Sequence, residues 1–192
     1  MFTDIEGSTR RWQDEPESMQ ALLVDHDAIF RDVIDKHKGL VFRHTVDGVA
    51  AVFASAGDAV NAAFDAQERL HGVLPVRMGL HTGEAELRDG GYLGATLHRC
   101  ARLMSIGHGG QIVCSESTAS LVRERDDLRD LGEHRLPDLS RASGCGRSAA
   151  ARSRRYGLIL CRADHPAPTH HPIPRAQSGG PAIQRLATRH RL

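Results

Sequence analysis

Asp4 closes a short N-terminal run of Phe2 and Thr3 and stands just before Gly7-Ser8-Thr9. A carboxylate beside the amides of a glycine-containing turn suits a metal-bound phosphate. Hard oxygen ligands take Mg²⁺ or Mn²⁺, and backbone N–H groups at the start of a helical turn cradle phosphate oxygens. Taken alone, an Asp before Gly or Ser is more often a cap or turn residue. Asp47-Gly48 is equally ambiguous, because the dipeptide's tolerance of positive φ closes a tight hairpin without any metal. The two aspartates become informative together. If their strands are neighbours, both carboxylates meet at one edge, and paired acidic groups attract a divalent cation.

The elements that must position them follow from periodicity. From Met19, the apolar residues Leu22, Leu23, Ile29, Phe30, Val33 and Ile34 recur at three- and four-residue steps, which predicts a helix with Asp14 as N-cap and Gly39 as its stop. Leu40-Val41-Phe42 and Val49 to Phe53 flank Asp47-Gly48 as the arms of a hairpin, with Asp47 at its tip. A second helix is expected over 58–70, a strand over 76–82, a third helix over 94–106, a strand over 111–114, a helix over 117–124 and an edge strand over 128–131. Strand, helix, strand, strand, helix, strand is the split βαβ order. The fold class expected is therefore α+β and ferredoxin-like, with helices mainly on one face of the sheet.

Length and composition bound the reading. A chain of 192 residues and 21.0 kDa, 40% hydrophobic and 26% charged, fits one core with an extension. No window nears the ~18 apolar residues of a membrane span, and the N-terminus lacks the basic-then-apolar order of an export signal. The expectation is a cytoplasmic chain with no membrane partner. Cys100, Cys114, Cys145 and Cys161 are too widely spaced for a C-x-x-C pair and read as free thiols. The formal charge of +1 conceals a split: residues 1–140 carry 15 basic and 23 acidic groups, and residues 141–192 carry 10 Arg and one Asp. The division expected is a domain over 1–140 and a basic, disordered tail over 141–192, rich in Arg, Pro and Ala. Arginines attract phosphate, but no aromatic residues interleave with them as a stacking platform requires, so nucleic acid is disfavoured as a partner. A solvated linker, a truncated region and a shifted reading frame all suit the abrupt change in composition.

Four segments carry a resemblance. Phe2-Thr-Asp-Ile-Glu-Gly-Ser-Thr9, Gly39-Leu-Val-Phe-Arg-His-Thr-Val-Asp-Gly48, Val76-Arg-Met-Gly-Leu-His-Thr-Gly83 and Gly107-His-Gly-Gly-Gln111 resemble, in order, the class III adenylate/guanylate cyclase domain, in the form found in actinobacterial regulatory proteins. The resemblance runs to about Leu139 and leaves out the tail. The family begins a few strand residues before Phe-Thr-Asp, so on this resemblance Met1 falls within the first strand.

The resemblance implies a purine nucleotide cyclase acting on ATP or GTP, with two Mg²⁺ or Mn²⁺ ions per site and a head-to-tail homodimer, or a heterodimer with another cyclase domain. Asp4 and Asp47 match the metal-binding aspartates, and Ile5 would lend a backbone carbonyl. Gly7, Ser8 and Thr9 would meet the phosphates. Where the family places Asn and Arg four residues apart on a helix facing the other subunit's site, this chain has His98 and Arg102; the i, i+4 spacing keeps both on one face. Arg102 retains the donors that stabilise charge at the reacting phosphorus, and His98 can donate one hydrogen bond to the ribose. Base recognition falls on Arg43, where adenylate cyclases of the family use Lys, and on Gly91, where they use Asp or Thr. Val46 replaces a Gly before the hairpin Asp, and Pro137 replaces a phosphate-binding Lys. The alternative reading is a weak or inactive cyclase-homology domain serving as a nucleotide-binding or dimerising regulatory module.

Overall fold

The computed structural model describes residues 1–88, 90–125, 128–134 and 158–163. The elements in chain order are β1 (Phe2–Ile5), α1 (Ser8–Asp14), α2 (Pro16–Lys36), β2 (Leu40–His44), β3 (Val49–Val52), α3 (Ala56–Leu70), β4 (Val76–Leu80), β5 (Glu86–Arg88), β6 (Gly91–Leu93), α4 (Ala95–Ile106), β7 (Ile112–Ser115), α5 (Glu116–Ala119), β8 (Leu128–His134) and β9 (Leu158–Ala163). Seven strands form one sheet in the order β2-β3-β1-β4-β7-β9-β8, and β5 pairs with β6 apart from it. The first four pair antiparallel with one another, which is the split βαβ arrangement the sequence predicts. The remaining pairings, from β4 through β7 and β9 to β8, are parallel.

Strand alternation divides the residues between two faces. Met1, Ile5, Val49, Ala51, Val76, Met78, Leu80, Ile112 and Cys114 join one apolar core with Phe30, Val33 and Ile34 of α2 and Val60, Ala63 and Ala66 of α3. Each large side chain fully buried there contributes about 1.5–3 kcal/mol. Gln67, buried among them, donates to the Val76 carbonyl at 2.7 Å and so fastens α3 to the start of β4. Gly79, between Met78 and Leu80, turns to the other face, where α4 lies against it. A Cβ there would stand 2.6 Å from the Met104 amide nitrogen and 2.7 Å from the Cys100 carbonyl. The Cys100 thiol donates to the Gly79 carbonyl at 3.2 Å. Helices thus lie mainly on one face, with α4 set on the opposite one.

Several local expectations are corrected. Asp14 ends α1 rather than capping α2; Glu15 takes the N-cap position without a side-chain bond, and Pro16 at the first helical position sets the start through its fixed φ and missing N–H. At the other end the left-handed residue is Lys38, at φ 57°. Gly39 is small because a Cβ would come 2.4 Å from the Phe53 ring. The helix expected over 117–124 shrinks to Glu116–Ala119, where the Ser115 hydroxyl caps the Thr118 amide. Beyond it the chain winds on in three-residue turns, from Leu121 to Thr118 and Val122 to Ala119. The strand from Val76 ends at Leu80, not Thr82. Hairpin β5–β6, with three-residue strands, has no counterpart in the sequence reading.

The tail is corrected at six residues. Leu158–Ala163 forms β9, inserted between β7 and β8. Its Leu-Ile-Leu-Cys run is the continuous apolar pattern of a strand flanked on both sides, which the surrounding arginines obscured. The edge position expected for residues 128–131 holds, since β8 is outermost. The rest of 141–192, and Pro137, lie outside the described residues. Cys100 is a free, buried thiol, as expected, and Cys114 is buried as well; Cys145 lies outside the described residues. Among the described residues no helix is long and apolar enough to cross a membrane.

Candidate metal and nucleotide site

Strand register assembles the site. Phe2 is paired with Gly79 and Asp4 with Arg77 across β1 and β4, and Ala50 of β3 is paired with both Phe2 and Arg43. Directly opposed residues share a face. Since Gly79 faces α4, so do Asp4, Arg77 and Arg43. The side chains that could do chemistry therefore lie on the sheet face occupied by α4, away from the α2–α3 core.

Asp47 reaches Asp4 because Gly48 permits it. The Ile5 amide donates to the Asp47 carbonyl at 3.0 Å, docking the hairpin tip on the end of β1. A Cβ on Gly48 would stand 2.0 Å from the Thr3 carbonyl oxygen and 3.2 Å from the Asp4 Cα. The expected reason for this glycine, positive φ, is thus corrected, since Gly48 is not among the left-handed residues. Close approach of two backbones demands it instead. Thr45 closes the turn, its amide and hydroxyl both donating to the Gly48 carbonyl. On the adjoining strand the Thr3 hydroxyl accepts from the Val49 amide at 2.9 Å.

The two carboxyls lie within reach of each other's charge. Burial raises the Asp4 pKa above its ordinary 3.8; the Arg77 guanidinium opposes that shift, and the negative charge of Asp47 adds to it. Arg77 approaches one oxygen of Asp4 twice, Nε to Oδ2 at 2.7 Å and a terminal nitrogen to Oδ2 at 2.6 Å. Ser8 holds the other carboxylate, its hydroxyl donating to Asp47 Oδ2 at 2.6 Å. Ser8 was expected at a phosphate; its side chain is committed to Asp47, leaving its amide at the start of α1. Gly7 precedes it at φ 73°, a left-handed N-cap without a side-chain bond, and Thr9 is exposed beside it. Glu6 anchors this loop from behind, accepting from the Gly109 amide at 3.0 Å and pairing with His108 at 3.3 Å. Its pKa is lowered, chiefly by the Gly109 amide.

The remaining candidates fall into two groups. Phe42 of β2 packs edge-on against Tyr92 at 5.2 Å, which sets β6 beside β2. Arg43 and Gly91, the expected base-reading positions, therefore sit on adjoining elements. His98 and Arg102 lie on α4, exposed and half-buried respectively. Among the described residues neither side chain bonds with Asp4 or Asp47, so the single chain brings together Asp4, Asp47, Ile5 and Ser8 but not the α4 pair. The sequence reading missed Arg77, although it lies in a quoted segment. The available signal was a cation in the middle of an apolar strand.

As a donor set, two adjacent carboxylates fit a hard divalent cation. Among the described residues no cluster of three or more His, Cys, Asp or Glu surrounds them. Mg²⁺ is commonly held by one or two carboxylates, with substrate phosphates and water completing its shell.

No protein-family model matches the chain. An uncharacterised Mycobacterium tuberculosis protein is 40% identical over 147 residues, a match covering 73% of this chain and 52% of the relative. The chain thus spans about half the length of these curated relatives. A receptor-type adenylate cyclase of Trypanosoma brucei brucei is 24% identical, over 69% of this chain and 32% of its own length. Among solved structures, a Trypanosoma brucei adenylate cyclase in its monomeric state superposes with a TM-score of 0.57 at 24% identity, covering 62% of this chain and 72% of the other. The guanylate cyclase domain from Catenaria anguillulae in complex with GTP gives 0.57 at 22% identity, covering 64% and 79%.

Proposed function

Because the chain folds as an adenylate/guanylate cyclase catalytic domain, we propose that it is a purine nucleotide cyclase, converting ATP or GTP to the 3′,5′-cyclic nucleotide and pyrophosphate in a head-to-tail dimer. The observation that carries the reading is the meeting of Asp4, on β1, with Asp47, at the tip of the β2–β3 hairpin, beside the sheet face that also bears α4. Asp4, Asp47 and the Ile5 carbonyl would hold the metal. A bound divalent pair supplies charge neutralisation on the attacking and leaving oxygens.

This chain's residues do the remaining work. Ser8 fixes the Asp47 carboxylate in place, and Gly48 lets the two backbones meet. The amides of Gly7, Ser8 and Thr9 face the triphosphate at a helix start. Arg102 of a second copy stabilises the negative charge growing at the α-phosphorus as the bond from the 3′-oxygen forms and the bond to pyrophosphate breaks; His98 orients the ribose. Arg43 donates to the base from β2. Gly91 offers no side-chain acceptor for an adenine amino group, and one missing hydrogen bond in a specificity site typically removes about 1–3 kcal/mol of discrimination. Relaxed choice between ATP and GTP follows.

The competing reading is a cyclase-homology domain that binds nucleotide for regulation without turnover, and Gly91, His98 and Pro137 favour it. Purified protein incubated with Mn²⁺ and either ATP or GTP separates the two. Production of cyclic nucleotide and pyrophosphate, lost in Asp4→Ala or Asp47→Ala, is the expected result. Nucleotide binding without product formation favours the regulatory module.

A further inference from the structure

Arg77 is the cation already seated at the carboxylate pair. It occupies Asp4 Oδ2 through two nitrogens, while its third points at the α4 C-terminus, 3.5 Å from the Ser105 carbonyl. Ser105 in turn donates through its hydroxyl to the carbonyl of Arg102 at 2.8 Å. The last carbonyls of a helix lack intrahelical partners and favour a cation, so Arg77 has a second anionic place to rest. Glu6 also feels its charge. The Arg77–Asp4 pair is about three-quarters or more shielded from solvent, with side chains 27% and 19% exposed, so the attraction is only partly screened.

Building on the cyclase reading above, we propose that Arg77 is a built-in counter-ion that competes with the divalent cation for Asp4 and so sets the affinity of the carboxylate pair for metal. With Arg77 in place the two aspartates carry one net negative charge; with its bond to Asp4 loosened they carry two. Metal binding and the ion pair therefore weaken each other, and by linkage each does so by the same factor. The cation released from Asp4 stays within reach of the α4 C-terminus, so occupancy of the metal site is felt at the helix that carries Arg102.

The test measures Mn²⁺ binding to the full chain by electron paramagnetic resonance, with no nucleotide and no turnover. Arg77→Gln is expected to bind Mn²⁺ more tightly, on the order of tenfold, the usual size of such couplings. Arg77→Lys, which keeps the charge, is expected to stay near the parent. Unchanged or weaker binding in folded Arg77→Gln overturns the proposal while leaving the metal site intact, whereas a parent that binds no Mn²⁺ overturns the metal site itself. Should Arg77→Gln not fold, the parent decides. Titration with Mg²⁺ is expected to speed hydrogen exchange at the Arg77 Nε–H in nitrogen-15 spectra, and unaltered exchange at saturating Mg²⁺ overturns the proposal.

Discussion

Gly48 shows how one missing side chain places the chemistry. Its backbone lies so close to β1 that a Cβ would overlap the Thr3 carbonyl at 2.0 Å. Gly48→Ala must push the hairpin tip away from β1, separating Asp47 from Asp4. We expect a loss of about 3 kcal/mol in urea unfolding, at the upper end for overpacking, because the obstructing atom is backbone and cannot rotate aside. A Gly48→Ala protein as stable as the parent would contradict the close approach. His81, at the end of β4, offers a second residue-scale expectation. Its Nδ1 lies 2.7 Å from the Ser115 hydroxyl, and burial first, then Arg99, lowers its pKa from 6.5 to about 4. Above pH 6.5 the ring is neutral folded and unfolded; below it the unfolded chain takes up a proton that the folded chain refuses until about pH 4. Stability should therefore be full above pH 6.5 and fall as pH drops towards 4, by on the order of 1–2 kcal/mol after allowing for the ring's partial exposure. Buried His26, also shifted down, adds in the same direction. Urea melts at pH 7 and pH 5 check this, and His81→Asn should flatten part of the difference.

Among the elements, α4 depends on Gly79 as the hairpin depends on Gly48. Gly79→Ala sets a Cβ 2.6 Å from the Met104 amide nitrogen, so the helix must lift from the sheet. We expect a stability loss of about 1–3 kcal/mol together with loss of any cyclase activity, since Arg102 moves with the helix. Ser55→Ala is the matching control: it removes the α3 N-cap that accepts from the Asp58 amide at 3.3 Å, and should lower stability by about 1 kcal/mol without touching turnover. Equal activity losses in both variants would show that stability alone limits the enzyme. Elements with long apolar periodicity, such as α2 and α3, were legible in the sequence. Boundaries set by one atom's reach were not. Pro16 rather than Asp14 starts α2, and the Ser115 hydroxyl sets the start of α5 at Glu116. The strands of β5–β6 are too short for any period to register.

At the scale of the whole molecule, the split βαβ core of the sheet and the meeting of Asp4 with Asp47 were readable because alternation and an Asp-Gly turn both point to neighbouring strands. Arg77 was not readable, because only the register of β1 against β4 reveals that it faces Asp4. β9 was hidden by composition, since a four-residue apolar run inside an arginine-rich segment alters no average. The single chain also leaves Arg102 without contact to the carboxylate pair, and that gap is why the proposed catalyst is two copies rather than one. Mixing an inactive Asp47→Ala chain with an inactive Arg102→Ala chain, with dimer formation confirmed by sedimentation, tests this directly. In the mixed dimer one site carries both lesions and the other carries neither. The account predicts that cyclic nucleotide production returns on mixing, although neither variant alone makes any. Mixed dimers that form and remain inactive would contradict it.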